Sequence, residues 1–292
     1  MQRTFRSLGL LITTAALCLA AASPAADPAD PFKQRPDASP FAIRELLRKG
    51  ETAELERRIA GWRVRRDERR LDDAYWAFTH LPTAESQALD RWREASPDSP
   101  TAQLAAAMRE VGRAGEARGE GFARTVSEQG WQDMRAHCAR ALALTEDVLR
   151  LDPLRIEAYV LRIEIARLTS NQALGRESFA KGRAIDPTYF RLWFQQLSSS
   201  SRRWGGSYEA VEQLAQEAQA YADANPRLRG LLAWSVADLA KDLGAAGRHA
   251  EALAAFDAAL KRGEVAWVHY TRGYMLSAAG DYQGALAAFD RA

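Results

Sequence analysis

A chain of 292 residues that is 47% hydrophobic and 27% charged has enough apolar side chain for one or two buried cores, which sets it apart from disordered polymers. Its 40 basic residues fall to 38, level with the 38 acidic ones, once Arg3 and Arg6 at the extreme N-terminus are set aside. Without a clustered surplus of Lys and Arg there is little to neutralise a run of phosphates, so nucleic acid is not an expected partner.

In chain order the first feature is a targeting signal. Arg3 and Arg6 precede the apolar run from Leu8 to Ala22, and Ser23, Pro24, Ala25 and Ala26 follow. This is the layout of a secretory signal peptide, assigned to residues 1–25. Its apolar core falls short of the roughly 20 residues that a bilayer span requires. The expected location is therefore periplasmic or secreted with no membrane span after cleavage, the alternative being an uncleaved N-terminal anchor. Cys18 follows Leu17 inside the apolar run, whereas a lipid-attachment cysteine follows a small residue. Cleavage would leave Cys138 as the one remaining cysteine, so no internal disulfide is expected. Residues 26–40 are rich in Pro, Ala and Asp and form a tether too poor in large apolar groups to order itself.

Ser39-Pro40 marks the first helix, with Ser as N-cap and Pro at the first helical position, where its missing N–H costs nothing. Beyond it the apolar residues recur every three or four positions, as in Leu46, Leu47, Leu55 and Ile59, and again in Leu142, Leu144, Val148, Leu149 and Leu151. That spacing predicts amphipathic helices, and no alternating strand pattern competes with it. Past Pro100 the prolines are Pro153, Pro187 and Pro226, each behind Asp or Asn at the tail of a helical pattern and 34 and then 39 residues apart. The extra five residues fall in the polar stretch Ser198 to Arg203. A recurrence near 34 predicts stacked helix-turn-helix units. Near the C-terminus Gly247, Ala252, Phe256 and Ala259 return 33 residues later as Gly280, Ala285, Phe289 and Ala292.

Gly273, Ala285, Phe289 and Ala292 resemble the signature of the tetratricopeptide repeat, with Ala240 replacing the first Gly in the preceding unit. The resemblance implies an all-α, helical-hairpin solenoid, with two repeats over 227–292, the last incomplete at Ala292, and first helices lining a groove. Small residues there let antiparallel helices approach while the aromatic fills the gap between hairpins. Residues 41–226 resemble a second family, the bacterial domain of unknown function 4034. The likeness rests on Trp92 with Pro97 and Ser99, Ala117-Arg118-Gly119, Leu151-Asp152-Pro153, and Arg203-Trp204-Gly205-Gly206-Ser207. Arg202 stands where members are expected to carry Pro. That family has no assigned activity, so the resemblance implies a helical domain with degenerate repeats and no mechanism.

Several groups are candidate sites. Trp234 and Trp267 occupy equivalent places on first helices, and Tyr270 and Tyr274 follow one and two turns after Trp267. Such a stripe either grips an extended peptide or sugar ring or packs between repeats. Lys241 is the one retained member of the basic and Asn set with which related arrays clamp a C-terminal carboxylate, so that clamp is not expected. The loop Arg203-Trp204-Gly205-Gly206-Ser207 is either a ligand-contacting turn or a helix connection pinned by a buried Trp. The run from Arg63 to Arg70 is either an anionic-polymer contact or, more commonly, a solvated helical face. Met134, His137 and Cys138 share a helical face, but three or four ligands are the usual requirement and no metal is expected. Gly112, Gly115, Gly119 and Gly121 lack the strand and the Gly-Lys-Ser/Thr of a phosphate cradle and mark a loop or helix irregularity. No Gly-x-Ser-x-Gly elbow or His-Glu-x-x-His pair occurs, and no cofactor is expected. The expected function is an exported interaction module that binds a protein or peptide partner in the cell envelope, more in keeping with a binder than an enzyme. The alternatives are a glycan-binding or glycan-processing protein with an aromatic cleft and a structural accessory subunit.

Overall fold

The computed structural model describes residues 35–119 and 123–292; the expected signal peptide at 1–25, Cys18, Gly121 and residues 26–34 of the expected tether lie outside the described residues. Ser39 accepts a hydrogen bond from the Ala42 N–H at 3.3 Å, and Pro40 opens α1 (Pro40–Lys49). The tether's last residues are part of the fold: Ala38 is buried, and the Asp37 carboxylate accepts from Arg70 Nε at 3.1 Å. There follow α2 (Thr52–Val64), α3 (Glu68–Thr79), α4 (Thr83–Ala95), α5 (Pro100–Arg118), α6 (Glu128–Leu151), α7 (Ile156–Thr169), α8 (Gln172–Ile185), α9 (Phe190–Ser199) and α10 (Tyr208–Ala218). A 3-10 run, Pro226–Ala233, leads into α11 (Trp234–Ala245), and α12 (His249–Arg262), α13 (Ala266–Ala278) and α14 (Tyr282–Phe289) complete the order. Among the described residues there is no strand, and no helix is long and apolar enough to cross a membrane.

Helices pair in chain order, α5 with α6, α7 with α8, α11 with α12 and α13 with α14, while α3, α5, α7 and α9 also lie side by side across pairs, as do α11 and α13. This is a helical-hairpin solenoid. Its period has a local cause at each proline. Asp152, Asp186 and Asn225 accept from the backbone N–H two residues on, at Leu154 (3.2 Å), Thr188 (2.9 Å) and Arg227 (3.2 Å). The same Asx turn thus closes α6 and α8 and, at Asn225, opens the 3-10 run that leads into α11. The expected insertion is the connection 200–207, which replaces the two-residue Ser170-Asn171 link of the preceding hairpin.

The core has two parts that meet on α7. Ala158, Leu161 and Ile165 face a cluster built on Trp62, Phe78, Trp92 and Leu104, whereas Ile156, Val160 and Ile163 face one built on Trp193, Leu231 and Phe256. A helix buried on opposite faces has no polar stripe, which is why α7 shows no clear amphipathic pattern. On α6 the fully buried stripe is Met134, Cys138, Ala141, Thr145 and Val148, and the flanking leucines Leu142, Leu144 and Leu149 are only partly buried. At the C-terminal end Ala252, Phe256 and Ala259 are completely buried, and a Cβ on Gly273 would come within 2.7 Å of the Phe289 ring. The small-against-aromatic packing expected from the repeat pattern is therefore present where Gly273 meets Phe289, and in the preceding unit Ala240 and Phe256 share one buried cluster.

Two expectations change. The run from Arg63 to Arg70 straddles the α2–α3 turn, with Arg66 at φ 55, and is not one solvated helical face. Arg63 pairs with Asp152 at 3.1 Å and Glu157 at 3.4 Å, Arg66 pairs with Asp186, and Arg70 with Asp67 at 2.7 Å. Arg63 and Arg66 thus bind acids 89 or more residues away and fasten α2 and its turn to later hairpins. Gly112 and Gly115 lie inside α5, and a Cβ on Gly112 would meet the Thr79 carbonyl at 1.8 Å. Gly112 marks the close approach of two helices, and only Gly119, at φ 70, ends one.

Candidate functional site

The helices that lie side by side across pairs carry two adjoining cavities of about 400 and 670 Å³, which share Val111, Gly115 and Glu164. Together they make one groove whose ends differ in charge.

The smaller cavity is acidic, with Asp72, Asp73, Glu157 and Glu164 among Tyr75, Trp76 and Tyr189. Asp72, Glu157 and Glu164 are engaged by arginines. Asp72 meets Arg227 at 3.5 Å, and Glu157 meets Arg63 at 3.4 Å and Arg155 at 3.6 Å. Arg155 donates to the Tyr75 hydroxyl at 2.5 Å and to Thr101 at 3.0 Å. Burial pushes the Asp72 carboxyl up despite Arg191 and Arg227, and pushes the Tyr75 hydroxyl up to about 12. Behind this cavity Glu68 holds the first turn of α9, accepting from the Phe190 N–H at 2.8 Å and Asn225 Nδ2 at 2.9 Å. Burial raises its carboxyl to about 7, outweighing the opposing Arg227 charge.

The larger cavity is basic and centred on Trp204. Arg167, Arg118 and Arg203 place their guanidinium carbons 4.4, 4.9 and 5.8 Å from its ring centroid. Arg118 ends α5 and Arg167 lies in the last turn of α7, positions where the helix dipole favours a cation. Lys241 lies 5.4 Å over the Trp267 ring, and the half-exposed Tyr270 and Tyr274 share a hydroxyl contact of 3.0 Å on the facing wall. Among the described residues lining this cavity four are cationic, Arg118, Arg167, Arg203 and Lys241, against one carboxylate, Glu164. Burial lowers the Lys241 ammonium; Asp238 and Asp242 oppose that, and Arg203 and Arg167 lower it further; Arg118 is likewise lowered by burial and by Arg203 and Arg167. The cations raise one another's potential.

The connection 200–207 fixes Trp204 in this place. Arg202–Trp204 forms a 3-10 turn, Gly205 takes φ 87, and a Cβ on Gly206 would lie 1.7 Å from the Ser200 carbonyl, so the turn needs both glycines. Ser207 caps α10 by accepting from the Ala210 N–H at 3.1 Å. Arg202 binds the Tyr208 hydroxyl at 3.1 Å and Asp242 at 3.5 Å, and its backbone N–H donates to Asp238 at 3.2 Å. The arginine standing where a proline was expected thus ties the turn to α11.

Of the residues singled out in the sequence, Arg203, Trp204, Lys241, Tyr270 and Tyr274 converge in the basic cavity. Gly205 and Gly206 instead line a depression of about 330 Å³ on the far side of Trp204. Trp234 is buried, with its ring centroid 4.6 Å from those of both Phe194, edge-to-face, and Trp267, tilted, so it belongs to inter-repeat packing. Trp267 bridges that stack and Lys241, with its indole N–H buried and without an acceptor. Met134 and Cys138 are in the core and His137 contacts Glu110 at 2.8 Å, and among the described residues no group of three metal-ligating side chains occurs. Arg167 and the acidic cavity carried no sequence signal, because each is assembled from separate helices. Arg118 was visible only within the Ala117-Arg118-Gly119 likeness. No protein-family model matches the chain, and no curated protein shows significant sequence similarity to it.

Proposed function

We propose that the chain is an exported helical-repeat interaction module whose groove takes an extended segment of a protein or peptide partner in the cell envelope. On this reading the last two hairpins are tetratricopeptide repeats, and residues 41–226 belong with the domain of unknown function 4034. The supporting observation is that Trp204, Lys241, Tyr270 and Tyr274, from three separate stretches of chain, share one cavity. Trp, Tyr and Arg are the side chains that most often dominate binding energy at interfaces. A glycan-processing reading has less support, because Asp72, Glu157 and Glu164 each already hold an arginine.

A photo-crosslinking residue at Tyr274, compared with one at the exposed Tyr282, tests the groove. Capture from the envelope at 274 and none at 282 is expected; equal capture at both removes the groove from the account. Fusing residues 1–40 to a reporter that folds only after export tests the location, and an inactive fusion would contradict it.

A further inference from the structure

We propose that the acidic end of the groove is a binding site for a neutral oligosaccharide, a sugar ring lying on Trp76 with its hydroxyls donating to the carboxylates of Glu157 and Glu164. The site is separate from the peptide contacts assigned to the Trp204 end, and neither rests on the other.

The parts come from three helices. On α3, Asp72, Asp73, Trp76 and His80 recur at helical spacing and line one wall of the 400 Å³ cavity. On α7, Glu157, Val160, Leu161 and Glu164 line another. Helix α5, packed against both, contributes Gly112 and Gly115, and a Cβ on Gly115 would meet no atom within 4 Å. Among the described residues, which include all eight tryptophans, Trp76 is the only exposed one, at 55%. An indole left to water in a concave wall forgoes the stabilisation of burial, which the apolar face of a ligand would supply.

The acids provide the polar half. Glu157 is 4% exposed and pairs with Arg63 at 3.4 Å and Arg155 at 3.6 Å, yet its Oε2 accepts no hydrogen bond. Glu164 accepts from Arg167 Nη2 at 3.2 Å through Oε1. A carboxylate offers about four acceptor positions, so both keep lone pairs for further donors, and a buried oxygen left unmet is costly. Their charge, by contrast, is already offset by arginines, and Arg191 also lines the cavity. An ammonium ligand therefore gains little there, and an anion meets the acids. Neutral hydroxyls donate without bringing charge. A sugar carries adjacent hydroxyls around an apolar C–H face, whereas an extended peptide offers one N–H per residue. Glu157 and Glu164 lie seven residues apart on α7, about 10 Å along its axis, which calls for more than one ring. The arginines that tell against catalysis by these acids thus suit them to binding.

The test is saturation-transfer NMR and calorimetric titration of the full chain. Cellohexaose, chitohexaose and maltohexaose are the neutral probes, oligogalacturonate the anionic one and spermine the cationic one. At least one neutral probe is expected to bind, with an affinity unchanged as salt is raised. Trp76→Ala should weaken it at least about tenfold, and Trp76→Phe should restore part of the loss. Tyr282→Ala, which removes an exposed ring on α14, should leave it unchanged. Glu157→Gln should also weaken it; if circular dichroism shows that this variant fails to fold, the exposed Trp76 still decides. No binding of any neutral probe overturns the inference, as does undiminished binding by a folded Trp76→Ala chain. Binding of spermine alone replaces it with an ammonium site. Oligogalacturonate binding as tight as that of the neutral probes also overturns it, because the acids would then lie outside the contact. None of these results bears on crosslinking at Tyr274, so the peptide groove stands or falls separately.

Discussion

Asp72 and Glu157, at one end of the groove, meet Arg227, Arg63 and Arg155 from other elements at 3.4 to 3.6 Å. At the other end Arg118, Arg167, Arg203 and Lys241 crowd two indoles, and burial, with the neighbouring arginines, holds Arg118 and Lys241 below their ordinary range. Both ends are walled by tyrosine and tryptophan and cut into neighbouring helices. What differs is how far apart in sequence the opposite charges lie. In the acidic end Glu157 is paired with Arg63 and Asp72 with Arg227, so the ion pairs fasten hairpins far apart in sequence. In the basic end the pairs are local, Arg167 with Glu164 at 3.2 Å and Lys241 with Asp238 at 3.9 Å, and what gathers there from separate stretches of chain is the set of guanidinium groups around the Trp204 ring. Long-range pairing and a cationic cluster on one ring are thereby set side by side within one groove.

The sharpest way to break this comparison is Arg155→Ala. Arg155 is buried between Tyr75, Thr101 and Glu157, and its loss leaves the buried Glu157 with Arg63 alone and takes a donor from the Tyr75 and Thr101 hydroxyls, costing about 3 kcal/mol. Urea unfolding should show that loss; a cost under about 1 kcal/mol would make the acidic end no more structural than the basic one. The next effect is a pH dependence. Because burial raises the folded Glu68 carboxyl from 4.5 to about 7, the folded state holds a proton that the unfolded chain releases. The stability from this group is complete below pH 4.5 and is lost as pH rises through 7, by about 3 kcal/mol. Glu68→Gln should flatten that slope in urea titrations across the window, and an unchanged slope would remove Glu68 as its cause.

The sequence disclosed the parts of this architecture whose cause is local. Gly273 against Phe289 and the Asx turns at Asp152, Asp186 and Asn225 each need particular residues at fixed spacing, so the period shows in the one-dimensional pattern. The 200–207 connection was likewise visible as an interruption of that period. By contrast α7 hides its role, because burial on opposite faces erases the polar stripe that identifies a helix's orientation. The basic cavity was half legible. Trp204, Lys241, Tyr270 and Tyr274 stand out by residue type, whereas Arg167 and Arg118 look like ordinary helix-end cations until the fold brings them to one ring. Trp234 misled in the other direction: its equivalence to Trp267 is real, but the Phe194 ring and Ser201 enclose it. The arginine run misled because its partners, Asp152, Glu157 and Asp186, lie on hairpins that sequence spacing cannot bring together.

The groove is tested most directly by placing the photo-crosslinking residue at Tyr274 in a chain that also carries Trp204→Ala. Trp204 and Tyr274 line one cavity though they come from separate stretches of chain, and a Trp in such a wall is a side chain on which binding energy concentrates. Capture from the envelope should be strong in the parent and lost in the variant, with the helical circular dichroism of the two alike. Undiminished capture by a folded Trp204→Ala chain would contradict the groove.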